Sequence, residues 1–330
     1  MDEPVNENLE FEPRLDLSKL SEKIMATRKE IAKKLVGQQK LVELVLAGIL
    51  SDGHILIEGV PGIAKTYMAK LVSRVIDATF SRIQFTPDLM PSDIIGTNIF
   101  NVKKSEFEFK KGPIFAHVIL IDEINRSPAK TQSALFECME ERQVTADGTT
   151  YQLDYPFIVL ATQNPVEHEG TYRLPEAQLD RFLFKIDIGY PTVQEEVKIL
   201  EGVSKNIINN NLDDVKVIIS KKELRDFRHL ISQVRTETNL MKYIAIIVEN
   251  TRKNPNLYLG ASPRASIGIL NASKAIAAMR GRDFVTPDDI RFVVYPVISH
   301  RVVLTPEREM EGLLVKDVIK EIIEHIEVPR

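Results

Sequence analysis

The sequence predicts an α/β protein: a five-stranded parallel sheet with helices on both faces, followed by a smaller all-helical domain. Three observations carry that expectation. Runs such as His117 to Ile121 and Phe157 to Ala161 are almost continuously apolar, as strands buried on both faces are. Between the strands lie stretches with apolar residues at helical spacing, for example Met68, Leu71, Val72, Val75 and Ile76. Alternation of the two is the pattern of a parallel sheet. Beyond Tyr190-Pro191 the strand-like runs give way to helix-start signals.

Taken in order, residues 1–14 are acidic, carry two prolines, and are expected to be loose or to lie along the surface. Leu17 to Leu35 reads as a helix with Ile24, Ile31 and Leu35 on one face. Val36-Gly37-Gln38 is a break, and Leu41 to Leu50 resumes as a mostly apolar helix. The run His54-Ile-Leu-Ile-Glu58 is a strand. It feeds a glycine-bearing turn and the helix that begins near Lys65. Phe80 to Phe85 alternates like a strand, and Pro87 to Pro91 reads as a helical turn. Thr97–Asn101 and Glu106–Lys110 form a hairpin around residues 102–105, an insertion (97–110) in the strand–helix alternation. The strand ending at Ile121 delivers Asp122-Glu123. Ser127 is then expected to cap a helix whose first residue is Pro128, running to about Glu141 with Ala134, Leu135, Cys138 and Met139 inward. Asp147-Gly148 turns a second hairpin, within 142–156. Phe157 to Ala161 is a strand ending in Thr162-Gln-Asn164-Pro165, and Phe184 to Ile188 closes the sheet. The expected domains are therefore a sheet domain over 15–190 and a helical one over 191–330. In the latter, Thr192 with Glu195 and Ser220 with Glu223 are capping boxes. Ser262-Pro263 starts a helix that Gly281 ends, Thr286-Pro287 starts another, and Thr305-Pro306 starts a last amphipathic helix. Residues 206–214 read as a polar loop.

Composition bounds the rest. At 330 residues, 44% hydrophobic and 27% charged, the chain is an ordinary globular one. It has no apolar run of membrane-spanning length and no signal-peptide pattern. A single cysteine precludes an internal disulfide, which suits the cytoplasm. The net charge of −4 argues against general nucleic-acid binding. The six histidines are far apart, and no Cys/His spacing suggests zinc.

The chemistry is concentrated in Gly59-Val60-Pro61-Gly62-Ile63-Ala64-Lys65-Thr66. Strand, glycine-bearing turn, Lys-Thr and helix is what a phosphate-cradling loop requires: backbone N–H groups and a helix N-terminus aimed at phosphate oxygens. Residues Gly59 through Tyr67 are thus the nucleotide-binding set. Lys65 is expected to reach the β- and γ-phosphates of ATP, and Thr66 to give its hydroxyl to Mg²⁺. Ala64 departs from the usual glycine before the lysine, a change that is tolerable if its φ is negative, as is expected at a helix entrance. Asp122 is expected in the Mg²⁺ shell and Glu123 to orient the attacking water, since open α/β sheets place ligands at the strands' C-terminal edge. Asn164 either touches the γ-phosphate or water, or is simply the turn residue before Pro165. Arg181 is either an arginine finger against the transition-state phosphate or a surface residue pairing with Asp180. Arg264, in a helix's first turn, either bridges the second domain to the nucleotide or is solvated.

In their order along the chain these features resemble the MoxR family of AAA+ ATPases over roughly residues 30–300. The matching stretches are Val36-Gly37-Gln38, the phosphate loop, Ile119-Leu-Ile-Asp-Glu-Ile-Asn-Arg126, Ala161-Thr-Gln-Asn-Pro165 and Leu174-Pro-Glu-Ala-Gln-Leu-Asp-Arg-Phe182. The resemblance implies Val36 and Gly37 beside the adenine, Lys65 and Thr66 on phosphate and Mg²⁺, and Asp122 and Glu123 as the Walker B pair. It implies Asn164 as sensor 1, Arg181 as a finger on the neighbouring subunit's ATP, and Arg264 as sensor 2. The hairpin at 97–110 corresponds to the helix-2 insert. The family further implies a homo-oligomeric, hexameric ring with chaperone-like action on client proteins, some with von Willebrand factor A domains or metal cofactors. Two other functions fit the same fold: a nucleic-acid motor, for which the insert tip Val102-Lys-Lys-Ser105 offers two lysines, and a nucleotide-bound scaffold without turnover.

Overall fold

The computed structural model describes residues 15–60, 62, 64–164, 172, 174–205 and 211–329. The expectations for residues 1–14, for Pro61, Ile63 and Pro165, and for residues 206–210 of the polar loop lie outside these. The chain opens with helices α1 (Ser18–Ala32) and α2 (Gln39–Leu50), strand β1 (His54–Gly59), helix α3 (Lys65–Val75) and strand β2 (Phe80–Gln84). Helix α4 (Pro91–Ile95) leads into the hairpin β3 (Gly96–Asn101) and β4 (Glu106–Lys111). Strand β5 (Val118–Asp122), helix α5 (Ala129–Glu141), the hairpin β6 (Gln143–Ala146) and β7 (Thr149–Gln152), strand β8 (Ile158–Gln163), helix α6 (Glu176–Leu179) and strand β9 (Phe182–Ile188) complete the first domain.

The central sheet has five strands in the order β2-β5-β8-β1-β9, all parallel. Alternation of side chains along each strand sends Ile55, Ile57, Leu120 and Leu160 to one face, and Leu56, Ile119, Ile121 and Val159 to the other. Helices cover both faces, so the inner strands β5 and β8 read as nearly unbroken apolar runs in the sequence, whereas the edge strands β2 and β9 carry polar residues such as Arg82 and Lys185. The insert hairpin springs from a tight crossing. A Cβ on Gly96, whose φ is +104, would collide with the Lys110 carbonyl, so only glycine fits there.

Helices α7 (Val193–Ser204), α8 (Lys221–Ser232), α9 (Thr238–Lys253), α10 (Pro263–Met279), α11 (Pro287–Ile298), α12 (Pro306–Met310) and α13 (Val315–His325) form the lid. Both expected capping boxes close: the Thr192 hydroxyl accepts from Glu195 N–H, and the Ser220 hydroxyl from Glu223 N–H. Three expectations need correction. The lid is not wholly helical, because β10 (Leu257–Leu259) pairs antiparallel with β11 (Val303–Leu304). The last amphipathic helix is α13, separated from Thr305-Pro306 by the short α12 and a turn at Gly312, whose φ is +80. Pro128, not Ser127, is the residue before α5; its extended ψ of 152 places it outside the helix, and the Ser127 hydroxyl makes no hydrogen bond among the described residues.

The lid is not a separate globule. Ile244, Ile269 and Val293 lie in the same apolar cluster as Ile24, Leu44 and Ile55 on one face of the sheet. Among the described residues no helix is long and apolar enough to cross a membrane.

Candidate active site

Three strand ends and one helix start meet at the C-terminal edge of the sheet, where parallel strands leave a crevice. From β1 the chain turns through Gly59 and Gly62 into α3. Gly62 has φ +86 and open space where a Cβ would sit. Lys65 folds back on this turn, its Nζ donating to the Gly59 carbonyl at 2.5 Å. Partial burial pulls its pKa down, opposed by the nearby Asp122, Glu123 and Glu58 carboxylates. Ala64 overturns the sequence expectation: its φ is +60 and ψ 25, in the left-handed region. The turn must reverse immediately before the helix, and the local cost falls on this residue.

From β5 come the two acids. Asp122 is largely buried; its Oδ2 accepts from Arg82 Nε at 2.6 Å and its Oδ1 from the Thr162 hydroxyl at 3.3 Å. Glu123 has a left-handed φ of 58, which turns its side chain out of the strand direction. Its N–H donates to Thr162 Oγ1 at 3.1 Å, and its Oε2 accepts from Gln84 Nε2 at 2.8 Å and Arg126 Nη1 at 3.0 Å. From β8 comes Asn164, also buried. Lys65, Thr66, Asp122, Glu123 and Asn164 line one cavity of about 400 Å³.

A second cavity of about 380 Å³ adjoins it, sharing Gly62, Ala64 and Tyr67. Its walls are largely apolar: Leu35, Val36, Pro191, Ile199 and Leu200. The pair forms a trough with a polar half and an apolar half. Val36 lines the apolar half. Gly37, with φ +71, makes the turn beside it and passes close to the Glu195 carboxylate without lining the cavity itself.

Arg181 and Arg264 are elsewhere. In the parallel pair of β1 and β9, His54 lies opposite Phe182 and Gly59 opposite Ile188. Arg181 precedes Phe182, so it sits at the sheet's N-terminal edge. Five strand steps at about 3.3 Å each place it roughly 17 Å from the phosphate turn of its own chain. Its partner is not Asp180: Arg181 Nη1 donates to the Phe136 carbonyl and contacts Glu140 Oε2, each at 2.6 Å. Asp180 instead accepts from Arg301 Nε at 2.7 Å and from the Ser262 hydroxyl at 3.1 Å. Arg264 reaches the same Glu140, Nη2 to Oε1, at 3.0 Å.

Sequence reading missed Arg82, Gln84, Arg126 and Thr162. Arg82 and Gln84 are two apart on β2 and therefore share a face, but only the pairing of Gln84 with Asp122 across β2 and β5 reveals what they touch. Thr162 and Arg126 stand inside the motif stretches, beside residues that drew the chemical attention.

A parallel five-stranded sheet with this phosphate turn, this acid pair and a packed helical lid defines a nucleotide hydrolase of the AAA+ class. Residues 54–184 match the model of the ATPase family associated with various cellular activities (AAA), and residues 249–322 match the AAA lid domain. The chain is 46% identical to the uncharacterised protein YeaC of Bacillus subtilis, over 89% of its own length and 91% of that protein's. It is 45% identical to Chaperone MoxR1 of Mycobacterium tuberculosis, over 91% and 81% respectively. A crystal structure of a candidate ATPase from Cytophaga hutchinsonii superposes with a TM-score of 0.85 at 44% identity, covering 95% of this chain and 99% of that one. The chain belongs to the MoxR family of AAA+ ATPases. It is a nucleotide-binding ATPase.

Proposed function

We propose that ATP lies along the trough with its base against Val36 and its triphosphate on the turn from Gly59 to Tyr67, and that hydrolysis drives chaperone-like remodelling of client proteins. Lys65 exchanges the Gly59 carbonyl for β- and γ-phosphate oxygens. Glu123, held between Gln84 and Arg126, orients the water that attacks the γ-phosphorus, with ADP leaving in line. Asn164 contacts the γ-phosphate or that water. The donor set fits Mg²⁺, which favours one or two carboxylates completed by phosphate oxygens. Asp122 and Thr66 line the same cavity, and the described residues hold no cluster of three or more His, Cys, Asp and Glu that would suit a different metal. Bound there, Mg²⁺ would neutralise charge building on the phosphates.

One observation carries the rest of the reading. Arg181 is at the wrong edge of the sheet to serve its own nucleotide, yet it stands beside a second arginine, and among the described residues Glu140 is the anion both of them contact. That arrangement supports a ring, in which these cations face the next subunit's triphosphate. A hexamer is the expected form. Clients would meet the ring through the insert hairpin, whose Phe100, Val102 and Phe107 are exposed. Proteins with von Willebrand factor A domains or metal cofactors are the candidate clients, and the cytoplasm is the expected compartment.

The test is a pair of variants. Glu123→Gln should bind ATP with near-normal affinity and lose about 10²–10⁴ in turnover, the usual contribution of a positioned base. Arg181→Ala should keep nucleotide affinity and lose at least about 10³ in assembled protein. Turnover close to the parent's in either variant overturns the role given to that residue.

A further inference from the structure

Glu140 closes the last turn of α5 and holds two guanidinium groups at once. Its Oε2 contacts Arg181 Nη1 at 2.6 Å and its Oε1 contacts Arg264 Nη2 at 3.0 Å. One arginine comes from the sheet domain and the other from the lid. Their backbones are tied together as well. Arg301, buried in the lid, donates to the Asp180 carboxylate and to the carbonyls of Asp180 and Phe182, on either side of Arg181. The Ser262 hydroxyl, at the N-cap of the helix that carries Arg264, donates to the same Asp180 carboxylate. Both arginines are therefore anchored at the base, and only their long side chains remain to be set.

Two arginines side by side repel, and each loses rotamer freedom when fixed. A single carboxylate between them opposes both effects and leaves the trio net positive. Each arginine contacts Glu140 through one terminal nitrogen, which for Arg181 also donates to the Phe136 carbonyl, so Glu140 leaves the other N–H groups of each planar fork available to an anion. An ion pair this exposed adds little to folding stability. Positioning is the effect left for it.

We propose that Glu140 is a positioning residue for ATP hydrolysis, holding Arg181 and Arg264 as one paired cation that the adjacent copy's triphosphate receives together. This rests on the reading that Arg181 acts on the neighbouring subunit. Arg264 then serves the same site as Arg181, and neither serves the nucleotide of its own chain.

The experiment measures kcat, KM and sedimentation of ATP-bound assemblies for Glu140→Ala, Arg181→Ala, Arg264→Ala and the Glu140→Ala/Arg264→Ala double variant. Glu140→Ala should lower kcat about tenfold, with KM within twofold and assembly unchanged. In its background Arg264→Ala should cost several-fold less than in the parent, because the pair is already disordered. Rescue by Glu140→Asp should be partial, since the charge is kept but the reach is shorter. A kcat within twofold for Glu140→Ala, while Arg181→Ala loses turnover, overturns the proposal and leaves the ring reading intact. So does strict additivity of Glu140→Ala with Arg264→Ala. Undiminished turnover in Arg181→Ala overturns the ring reading and the proposal together. Loss of assembly in Glu140→Ala at unchanged ATP affinity would make Glu140 an interface residue and also overturn it.

Discussion

Replacing Ala64 with glycine should tighten the phosphate turn rather than loosen it. Ala64 sits at φ +60 and ψ 25, where an L-residue's Cβ crowds the following carbonyl at a cost of about 1–2 kcal/mol. Glycine removes that cost. Against it stand about 0.4–1 kcal/mol of extra backbone entropy lost on folding and a fraction of the ~0.8 kcal/mol that a fully buried methyl contributes. The Ala64 methyl is only partly buried against the core, so with about half of that methyl value the balance favours glycine by about 0.4 kcal/mol, with extremes from about −0.4 to about 1.2. The Ala64 carbonyl accepts the first helical bond of α3, from Met68 N–H at 2.9 Å. Hydrogen exchange at the Met68 amide therefore reads the turn directly. Ala64→Gly should slow it by up to about eightfold, the factor for about 1.2 kcal/mol. Ala64→Val should hasten it, since a β-branched residue is strongly disfavoured at positive φ. Faster exchange in Ala64→Gly by fivefold or more, or exchange in Ala64→Val equal to the parent's, would refute the left-handed assignment and the strain argued from it.

Two further predictions concern charge. Arg82 occupies the Asp122 oxygen that a cation would share, and its side chain is 52% exposed, so Arg82→Ala should reduce the Mg²⁺ concentration for half-maximal turnover by about two- to fivefold, the worth of an exposed pair; an unchanged requirement in a Mg²⁺ titration contradicts the competition. The His54 ring is wholly buried, accepting from Val159 N–H at 3.0 Å and meeting the Met139 carbonyl at 3.1 Å, and burial, reinforced by Arg142, pushes its pKa from 6.5 to about 3. The unfolded chain takes up this proton near 6.5 and the folded chain only near 3, so the stabilisation is complete above pH 6.5 and is lost as pH falls toward 3. Each unit in that window removes about 1.4 kcal/mol per such histidine. Urea midpoints at pH 7 and pH 5 should differ less in His54→Gln than in the parent, with His300, shifted the same way, sustaining part of the slope; equal differences in the two proteins count against the assignment.

Much of the fold is legible because its signals are local. Strands buried on both faces, such as β5 and β8, are apolar along most of their length, and the lid helices carry their own start signals in Thr192 with Glu195 and Ser220 with Glu223. The phosphate turn and the acids at the end of β5 are legible for a related reason: each is a contiguous stretch whose chemistry needs adjacent residues. What stayed hidden depends on pairing across the chain. Nothing near Gln84 in sequence indicates Glu123, and nothing near Glu140 indicates Arg181 or Arg264. Asp180, the obvious partner of Arg181 by proximity, is taken by Arg301 from the far end of the lid. The sign of Ala64's φ is not legible in the sequence because helix entrances usually have negative φ, and only the geometry of this reversal shows the exception. The two lid strands are too short to register as alternating runs.

The apolar cluster that runs without a break from one face of the sheet into α9, α10 and α11 has a mechanical consequence. A subunit so joined has no greased hinge between its halves; bending it would wet side chains that are now dry. In the proposed ring, strain generated when phosphate departs would then pass across the seams between neighbouring copies, with each protomer acting as a solid spoke.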